Sequence, residues 1–278
     1  MSGTRKRHRI ASVALGLLSL IVISPFLYMI SVSLMGESEL LRWPPPLFPN
    51  AATLSNYAAA MAALPYSRAA WNSAILAGFV MLGQVVTSAA AGYAFARMRF
   101  PGRDVIFNAF LATIMLPLIL LAIPRFRLIN GLGWLDTYGG LISTELVSVL
   151  GIVLMRRAFL RLPREVEDAA RLDGAREWTL FRRVMLPLAR PAIIALALIA
   201  FLEQWRNFLW PLIVTRSADR AVTEVALAQL HTAYSGNWPY QMAAGVLVTI
   251  PLWIVGLIAQ RYLEPVLRIT GAGAPTRL

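Results

Sequence analysis

Residues 164–191 read R-E-V-E-D-A-A-R-L-D-G-A-R-E-W-T-L-F-R-R-V-M-L-P-L-A-R-P, the longest charged segment of a chain that is otherwise apolar. The segment separates two apolar runs, each long enough to enter a bilayer. Pro163 predicts a helix starting directly after it, because the N–H that proline lacks has no partner in a first turn. Glu165, Glu167 and Asp168 then fall where carboxylates favour a helix N-terminus. Ala169, Ala170 and Leu172 continue the helix, and Gly174 is the expected stop. A second short helix is predicted from Ala175 to about Met185. It carries Trp178, Phe181 and Met185 at i, i+3 and i+7 on one apolar stripe, and Leu186-Pro187 ends it. The product is a helix–glycine–helix elbow ringed by arginine. On charge alone, such a loop would anchor a chain to anionic lipid.

Composition sets the class. Of 278 residues, 58% are hydrophobic, more than a soluble domain of this size can hide. Apolar runs of about 18 residues or more indicate membrane helices. With no cysteine there is no disulfide framework and no thiolate metal site. Two histidines, His8 and His231, are too few for a histidine-rich metal centre. The net charge of +12 could suggest nucleic acid, but its placement points to membrane topology instead.

Taken in order, residues 1–9 (MSGTRKRHR) form a basic N-terminus and residues 10–35 an uncharged run. That run exceeds the apolar core of a signal peptide, at about 7–15 residues, so a retained first span is expected. Residues 36–68 are polar, proline-rich and aromatic. The second span covers 69–96, followed by the basic turn R-M-R-F-P-G-R at 97–103. The third span covers 105–124, with Pro117 and Pro124 as kinks that neighbouring helices must accommodate. After a short loop at 125–137, the fourth span covers 138–155 and contains Glu145. The fifth follows the charged elbow, at 191–214, and the sixth lies at 240–260 after a polar segment at 215–239. Nineteen of the 26 basic residues then fall on one set of loops and six on the other, with Arg206 inside a span. The excess of arginine marks the cytoplasmic side, so both termini are expected there.

The fifth span carries Glu203, Gln204, Arg206 and Asn207. A charge at mid-bilayer costs roughly 2.5–3.5 kcal/mol, so these groups should face protein or water. Glu203 and Arg206 are three apart on one helix and can pair. Two roles stay open: lining a translocation path or subunit interface, or a snorkelled pair near the outer interface beside Trp205 and Trp210. For Glu145 the expectation is a structural interface role.

The elbow also resembles a known signature. Its order of Asp168-Ala169-Ala170, three residues, Gly174, nine residues, Val184-x-Leu186-Pro187 is similar to the cytoplasmic loop of binding-protein-dependent ABC importer permeases. That family has Glu where Asp168 stands and Ile where Val184 stands; Glu167 keeps a longer acid next to the first of these. Other stretches resemble the sugar-type branch. They are Asn72-Ser73 opening the second span, residues 93–97 (Y-A-F-A-R) with Phe100-Pro101-Gly102 closing it, and Met115-Leu116-Pro117 in the third. In the fifth, W-R-N-F-L-W-P-L at 205–212 matches except at Arg206 and Asn207, and the tail G-A-G-A-P-T-R-L at 271–278 departs from the family ending.

The resemblance implies an all-α integral membrane protein of six transmembrane helices, similar to the second subunit of maltose-type permeases. In this picture residues 10–264 are the permease domain, with the coupling loop at 164–191 between helices 4 and 5, and residues 265–278 a cytoplasmic tail. Glu167, Asp168, Ala169, Ala170, Gly174, Leu186 and Pro187 would form the joint with an ATPase subunit. The implied partners are a second homologous permease, two ATP-binding-cassette ATPases, an extracytoplasmic solute-binding protein and membrane lipid. ATP and magnesium would bind those partner ATPases, and this chain would hold no cofactor. The implied location is the bacterial inner membrane and the cargo a carbohydrate or polyol.

Other functions fit less well. A self-contained ATPase needs G-x-x-x-x-G-K-[ST], which does not occur, and the only lysine is Lys6. A membrane enzyme needs a cluster of acids or histidines at the interface, and the one dense acid cluster, 165–173, belongs to the elbow. A stand-alone secondary transporter should show related halves, and no such inverted repeat is evident.

Overall fold

The computed structural model describes residues 2–63, 66–234 and 236–269; among them the regular structure is helical and no strand occurs. The divergent tail sequence at 271–278 lies outside these residues. In chain order the helices are α1 (Ser2–Ser33), α2 (Glu37–Leu40), α3 (Ser55–Ala63), α4 (Tyr66–Arg97), α5 (Arg103–Thr113), α6 (Ala122–Gly131), α7 (Tyr138–Ile142) and α8 (Val149–Arg161). There follow α9 (Arg164–Leu172), α10 (Glu177–Thr179), α11 (Leu186–Leu188), α12 (Arg190–Trp205), α13 (Leu209–Val214), α14 (Thr223–Ala233) and α15 (Trp238–Ile269).

Three stretches are long and apolar enough to cross a membrane unbroken: Ser12–Ser33, Tyr66–Arg97 and Trp238–Gln260. Two more candidates are bent pairs, Tyr138–Glu145 with Val149–Arg161 (45°) and Glu177–Leu188 with Arg190–Trp205 (76°). The third predicted span is interrupted. Its helix stops at Thr113, and Pro117 (φ −58°, ψ 128°) leads into a 3₁₀ turn, Leu118–Leu121, before α6. Proline removes one helical hydrogen bond and pushes its predecessor out of the α region, so here the helix breaks where a kink was expected. Pro124 causes no second break because it is the third residue of α6, where backbone N–H groups are unpaired anyway.

The fourth span breaks for another reason. Thr137 caps α7 by accepting the Gly140 N–H at 3.2 Å, and Ser148 caps α8 by accepting the Gly151 N–H at 3.1 Å. A residue in extended conformation at an N-cap starts a new helix axis, so one apolar run becomes two segments.

The described residues divide into two compact units. In the unit formed by the chain up to Ser67 and by Ala226–Ile250, Asn56 donates to the last free carbonyls near the end of α1, Ser33 at 2.9 Å and Met35 at 2.8 Å. Its small core joins Ala60, Leu230, Tyr240 and Ala244. Its extramembrane Glu39 accepts the Asn50 backbone N–H at 2.9 Å, which holds its carboxyl below the usual range against the opposing effect of burial.

In the other unit α4 is the central post. Its start is fixed by Asn72 and Ser73, both almost fully buried. Asn72 donates to the carbonyls of Asp219 (3.0 Å) and Ala221 (2.9 Å) and accepts from the Tyr138 hydroxyl (2.6 Å); Ser73 meets the hydroxyl and backbone N–H of Thr223, both at 2.9 Å. The segment before α14 is therefore strapped onto the post, and its Val222, with Val225 of the first turn of α14, shares a core with Leu76, Val80 and Trp210. Farther along, glycines allow α4 and α8 to touch: a Cβ at Gly92 would lie 2.6 Å from Met155 Cβ and 2.8 Å from the Arg156 backbone nitrogen. That crossing sits over the core of Tyr93, Met155, Phe159, Leu180, Phe181 and Met185, against which the charged elbow rests.

Candidate functional site

The elbow forms two arms. α9 starts at Arg164, after Pro163, and ends at Leu172. Its exit is a complete left-handed cap: Gly174 has φ +81°, its N–H reaches the Arg171 carbonyl, and the Ala175 N–H reaches back to Ala170, each at 3.0 Å. A side chain at Gly174 would meet nothing within 4 Å, so the glycine is required by backbone conformation and not by crowding.

The second arm differs from expectation. The turn Glu177–Thr179 widens into a π-helical stretch, Leu180–Met185, and the chain stays helical through Leu188. The bend comes at Ala189, beyond Leu186-Pro187. Wider π turns shift the side-chain register. Leu180, Phe181 and Met185 are buried together, while Trp178 still meets the Phe181 ring at 5.6 Å but is 68% exposed, so only two of the three predicted stripe residues are buried.

Charges tie the elbow to the post. Glu167 is only 7% exposed, and its carboxylate lies 3.5 Å from Arg97 of α4 and 3.0 Å from Arg171. Arg171 also pairs with Glu177 at 2.5 Å, and Glu177 accepts the Tyr93 hydroxyl at 3.0 Å. Arg97 in turn donates to the carbonyls of Phe159 (2.7 Å) and Leu162 (2.5 Å), the free end of α8. The hydrogen bonds to Glu167 and Glu177 hold Arg171 further toward its charged form. One connected network therefore joins α4, α8 and both arms. Asp168 and Ala169 point away from it and are exposed, Ala170 and Leu186 are half-buried, and Pro187 is exposed. At the tip, Leu172 is 89% exposed. The elbow thus offers an outward face of Val166, Asp168, Ala169 and Leu172 on a rigid underside.

The polar residues of the fifth span separate into two groups. Gln204 is 6% exposed; it donates to Glu145 at 3.2 Å and accepts from Asn207 at 3.0 Å. Glu145 is ion-paired with Arg125, which stacks on the Trp210 ring at 4.1 Å and donates to Thr144 at 2.6 Å. Gln84 of α4 donates to the Glu145 backbone carbonyl at 2.8 Å. Glu203 and Arg206 lie elsewhere. Both are exposed, and they form no ion pair with each other. Arg206 has left the helix as the C-cap of α12 (φ −89°, ψ 5°), so the three-residue helical spacing no longer brings it back to Glu203. With Ile199 and Leu202 they line an open recess of about 370 Å³. Nearby, burial raises the Glu224 carboxyl against the lowering effect of the Arg206 charge. Arg125 and Gln84 were missed in the sequence, because their partners are 20 and 61 residues away.

Residues 88–269, which run from within α4 through the elbow to α15, match a described family, the binding-protein-dependent transport system inner membrane component. The chain belongs to that family. Its curated relatives include the arabinooligosaccharides transport system permease protein AraQ of Halalkalibacterium halodurans, 33% identical over 94% of both chains. Another is the sn-glycerol-3-phosphate transport system permease protein UgpE of Brucella abortus, 32% identical over 87% of this chain and 89% of the relative. The fold is that of a chain in a bacterial ABC transporter involved in the import of the acidic polysaccharide alginate, with a TM-score of 0.78 at 23% identity over 93% of this chain and 96% of that one. This member of the family is thus a multi-pass inner-membrane permease of an ABC importer. A stand-alone secondary transporter and a membrane enzyme are both set aside.

Proposed function

We propose that this permease moves a carbohydrate or polyol, delivered by an extracytoplasmic binding protein, and draws its energy from partner ATPases through the elbow. The relatives named for arabinooligosaccharides and glycerol phosphate support the cargo class. The broken segments would complete six spans, with the elbow and both termini in the cytoplasm. A second homologous permease and two ATPase subunits would complete the transporter, and ATP with magnesium would bind those ATPases.

The observation that carries the coupling role is the two-sidedness of α9. Asp168, Ala169 and Leu172 are exposed while Glu167, one residue away, is locked to Arg97. In this reading Asp168, Ala169, Ala170 and Gly174 form the docking joint. Glu167 positions it from behind, and Leu186 with Pro187 carries the motion to the bend at Ala189. A push on α9 would reach α4 and α8 through the Arg97 network and α12 through that bend. Glu203 and Arg206 would face the translocation path or the second permease, and Gln204 and Asn207 would brace that face from inside.

Purification of the tagged chain from native membranes, followed by mass spectrometry of its companions, tests this. Recovery of a P-loop ATPase and a second multi-pass protein, with the ATPase lost in Gly174→Asp, is the expected result. Recovery of the ATPase in undiminished amount with Gly174→Asp would remove the elbow from the coupling role.

A further inference from the structure

Between α8 and α12 lies a cleft of about 360 Å³ that the transport reading leaves unused. Four alanines, Ala158, Ala189, Ala192 and Ala195, form its floor, Leu154, Leu162, Leu188 and Pro191 make the rest of its apolar wall, and Arg157 and Arg161 are its charged residues. α12 leaves the preceding helix at 76°, and the cleft lies at that bend, where alanines leave the space beside α8 unfilled. Arg157 and Arg161 are four apart on α8, hence on one face and one turn apart. Both are exposed, and neither has a hydrogen-bond or ion-pair partner among the described residues. No acidic side chain lines the cleft.

The position of the cleft selects its occupant. α8 ends at Arg161, where the apolar run gives way to the charged elbow, so the arginines sit at the level where a span leaves the hydrocarbon. A soluble anion would match the arginines but not the alanine floor. An apolar protein helix would fill the floor but leave two guanidinium groups without anions. A molecule with an acyl chain and a phosphate matches both parts, and guanidinium groups bind phosphate oxygens in pairs. Basic pockets between membrane helices on the cytoplasmic side bind anionic lipid headgroups in this way.

We propose that the cleft between α8 and α12 is a binding site for one anionic phospholipid, with an acyl chain against Ala158, Ala189, Ala192 and Ala195 and the phosphate on Arg157 and Arg161. The lipid would wedge beside the bend at Ala189 that the transport reading uses as its lever. The placement on the cytoplasmic side rests on that reading.

The test uses the assembled transporter, reconstituted in nanodiscs of phosphatidylcholine with or without phosphatidylglycerol and released for native mass spectrometry. Wild type should keep bound phosphatidylglycerol. The double variant Arg157→Ala/Arg161→Ala should retain it roughly thirtyfold less well, the factor for two basic residues near an anionic surface. Ala192→Leu, which fills the floor and keeps both charges, should lose it too. Arg127→Ala, on the opposite predicted side, should behave as wild type. Equal retention in wild type and the double variant overturns the proposal, as does equal loss in Arg127→Ala. In this cysteine-free chain, Ala158→Cys crosslinked in native membranes to another subunit would show that protein covers the cleft, which also overturns it. The same spectra count ATPase subunits, so a failed coupling reading shows as a missing ATPase whatever the lipid does.

Discussion

Arg97, the last residue of α4, and Glu167, in the middle of α9, stand 3.5 Å apart with both side chains buried. Arg97 also closes the carbonyl end of α8. Removing the acid leaves a buried guanidinium short of its counter-charge, and its Nε already has no partner. Breaking a buried pair costs more than the pair contributes. Glu167→Ala should therefore lower unfolding stability by about 3 kcal/mol and loosen the elbow, seen as faster hydrogen exchange across α9. Asp168→Ala, one residue along on the exposed face, should leave the melting temperature in place and reduce only the ATPase recovered with the chain. Equal thermal losses in the two variants would contradict the division of roles.

At Gly174 the prediction is a ranking. The residue has φ +81° and open space around it, so a substitution meets a backbone penalty and no clash. Left-handed backbone costs roughly 1–2 kcal/mol for an ordinary L-residue and less for asparagine. ATPase recovery should fall in the order glycine, asparagine, alanine, valine. Valine matching glycine would mean that the cap does not set the elbow.

The elbow was legible because its signals are local: Pro163 before a helix, acids in the first turn and glycine at the stop. The second and sixth apolar runs were legible for the same reason. Where the sequence misled, a distant partner or a local cap decided. The fourth run hides Ser148, whose cap on Gly151 starts a second axis inside an apolar string. Glu203 and Arg206 look like a helical pair only while the helix continues, and it ends at Trp205. Arg125 reads as a loop residue until α6 carries it beside Glu145. Trp178 keeps its ring against Phe181, with 5.6 Å between centroids, yet stays exposed at the edge of the buried cluster.

The crossing of α4 and α8 predicts a steep size limit. At Gly92 the nearest atoms include the Arg156 backbone nitrogen, which cannot step aside as a side-chain end can. Gly92→Ala should cost about 1–3 kcal/mol through overpacking. Gly78, whose Cβ would meet nothing within 4 Å, should accept alanine without loss. Detergent melting curves of the two variants compare them directly.

Asp136 gives a pH dependence. It lies in the loop outside the spans, at φ 57°, and accepts the backbone N–H groups of Arg216 (2.9 Å) and Ser217 (3.2 Å). Burial pushes its carboxyl up, but these hydrogen bonds prevail and hold it below the ordinary aspartate range. A depressed folded value means that its stabilisation is complete above the unfolded value and is lost as pH falls through the folded one. Exchange protection of the strap at 214–223 should therefore drop in acid, below the ordinary aspartate range. Asp136→Asn should be weaker at neutral pH and lack that acid step.

The last prediction separates the two polar groups of the fifth span. Gln204 is buried and bonded to Glu145 and Asn207, so Gln204→Leu leaves a carboxylate oxygen and an amide without partners. Each unsatisfied buried group costs about 1–3 kcal/mol. Glu203 and Arg206 are exposed on a chain that sits in a bilayer, and neither supports an internal contact of this kind. Glu203→Gln and Arg206→Gln should therefore keep the melting temperature and the recovered subunits while lowering uptake in proteoliposomes. Gln204→Leu should lower the melting temperature first and uptake with it. Should Arg206→Gln lose the second permease during purification while the isolated chain stays stable, the recess at Ile199 and Leu202 is a subunit contact. If subunits stay and uptake falls, it lines the path, because the charge then matters only to what passes.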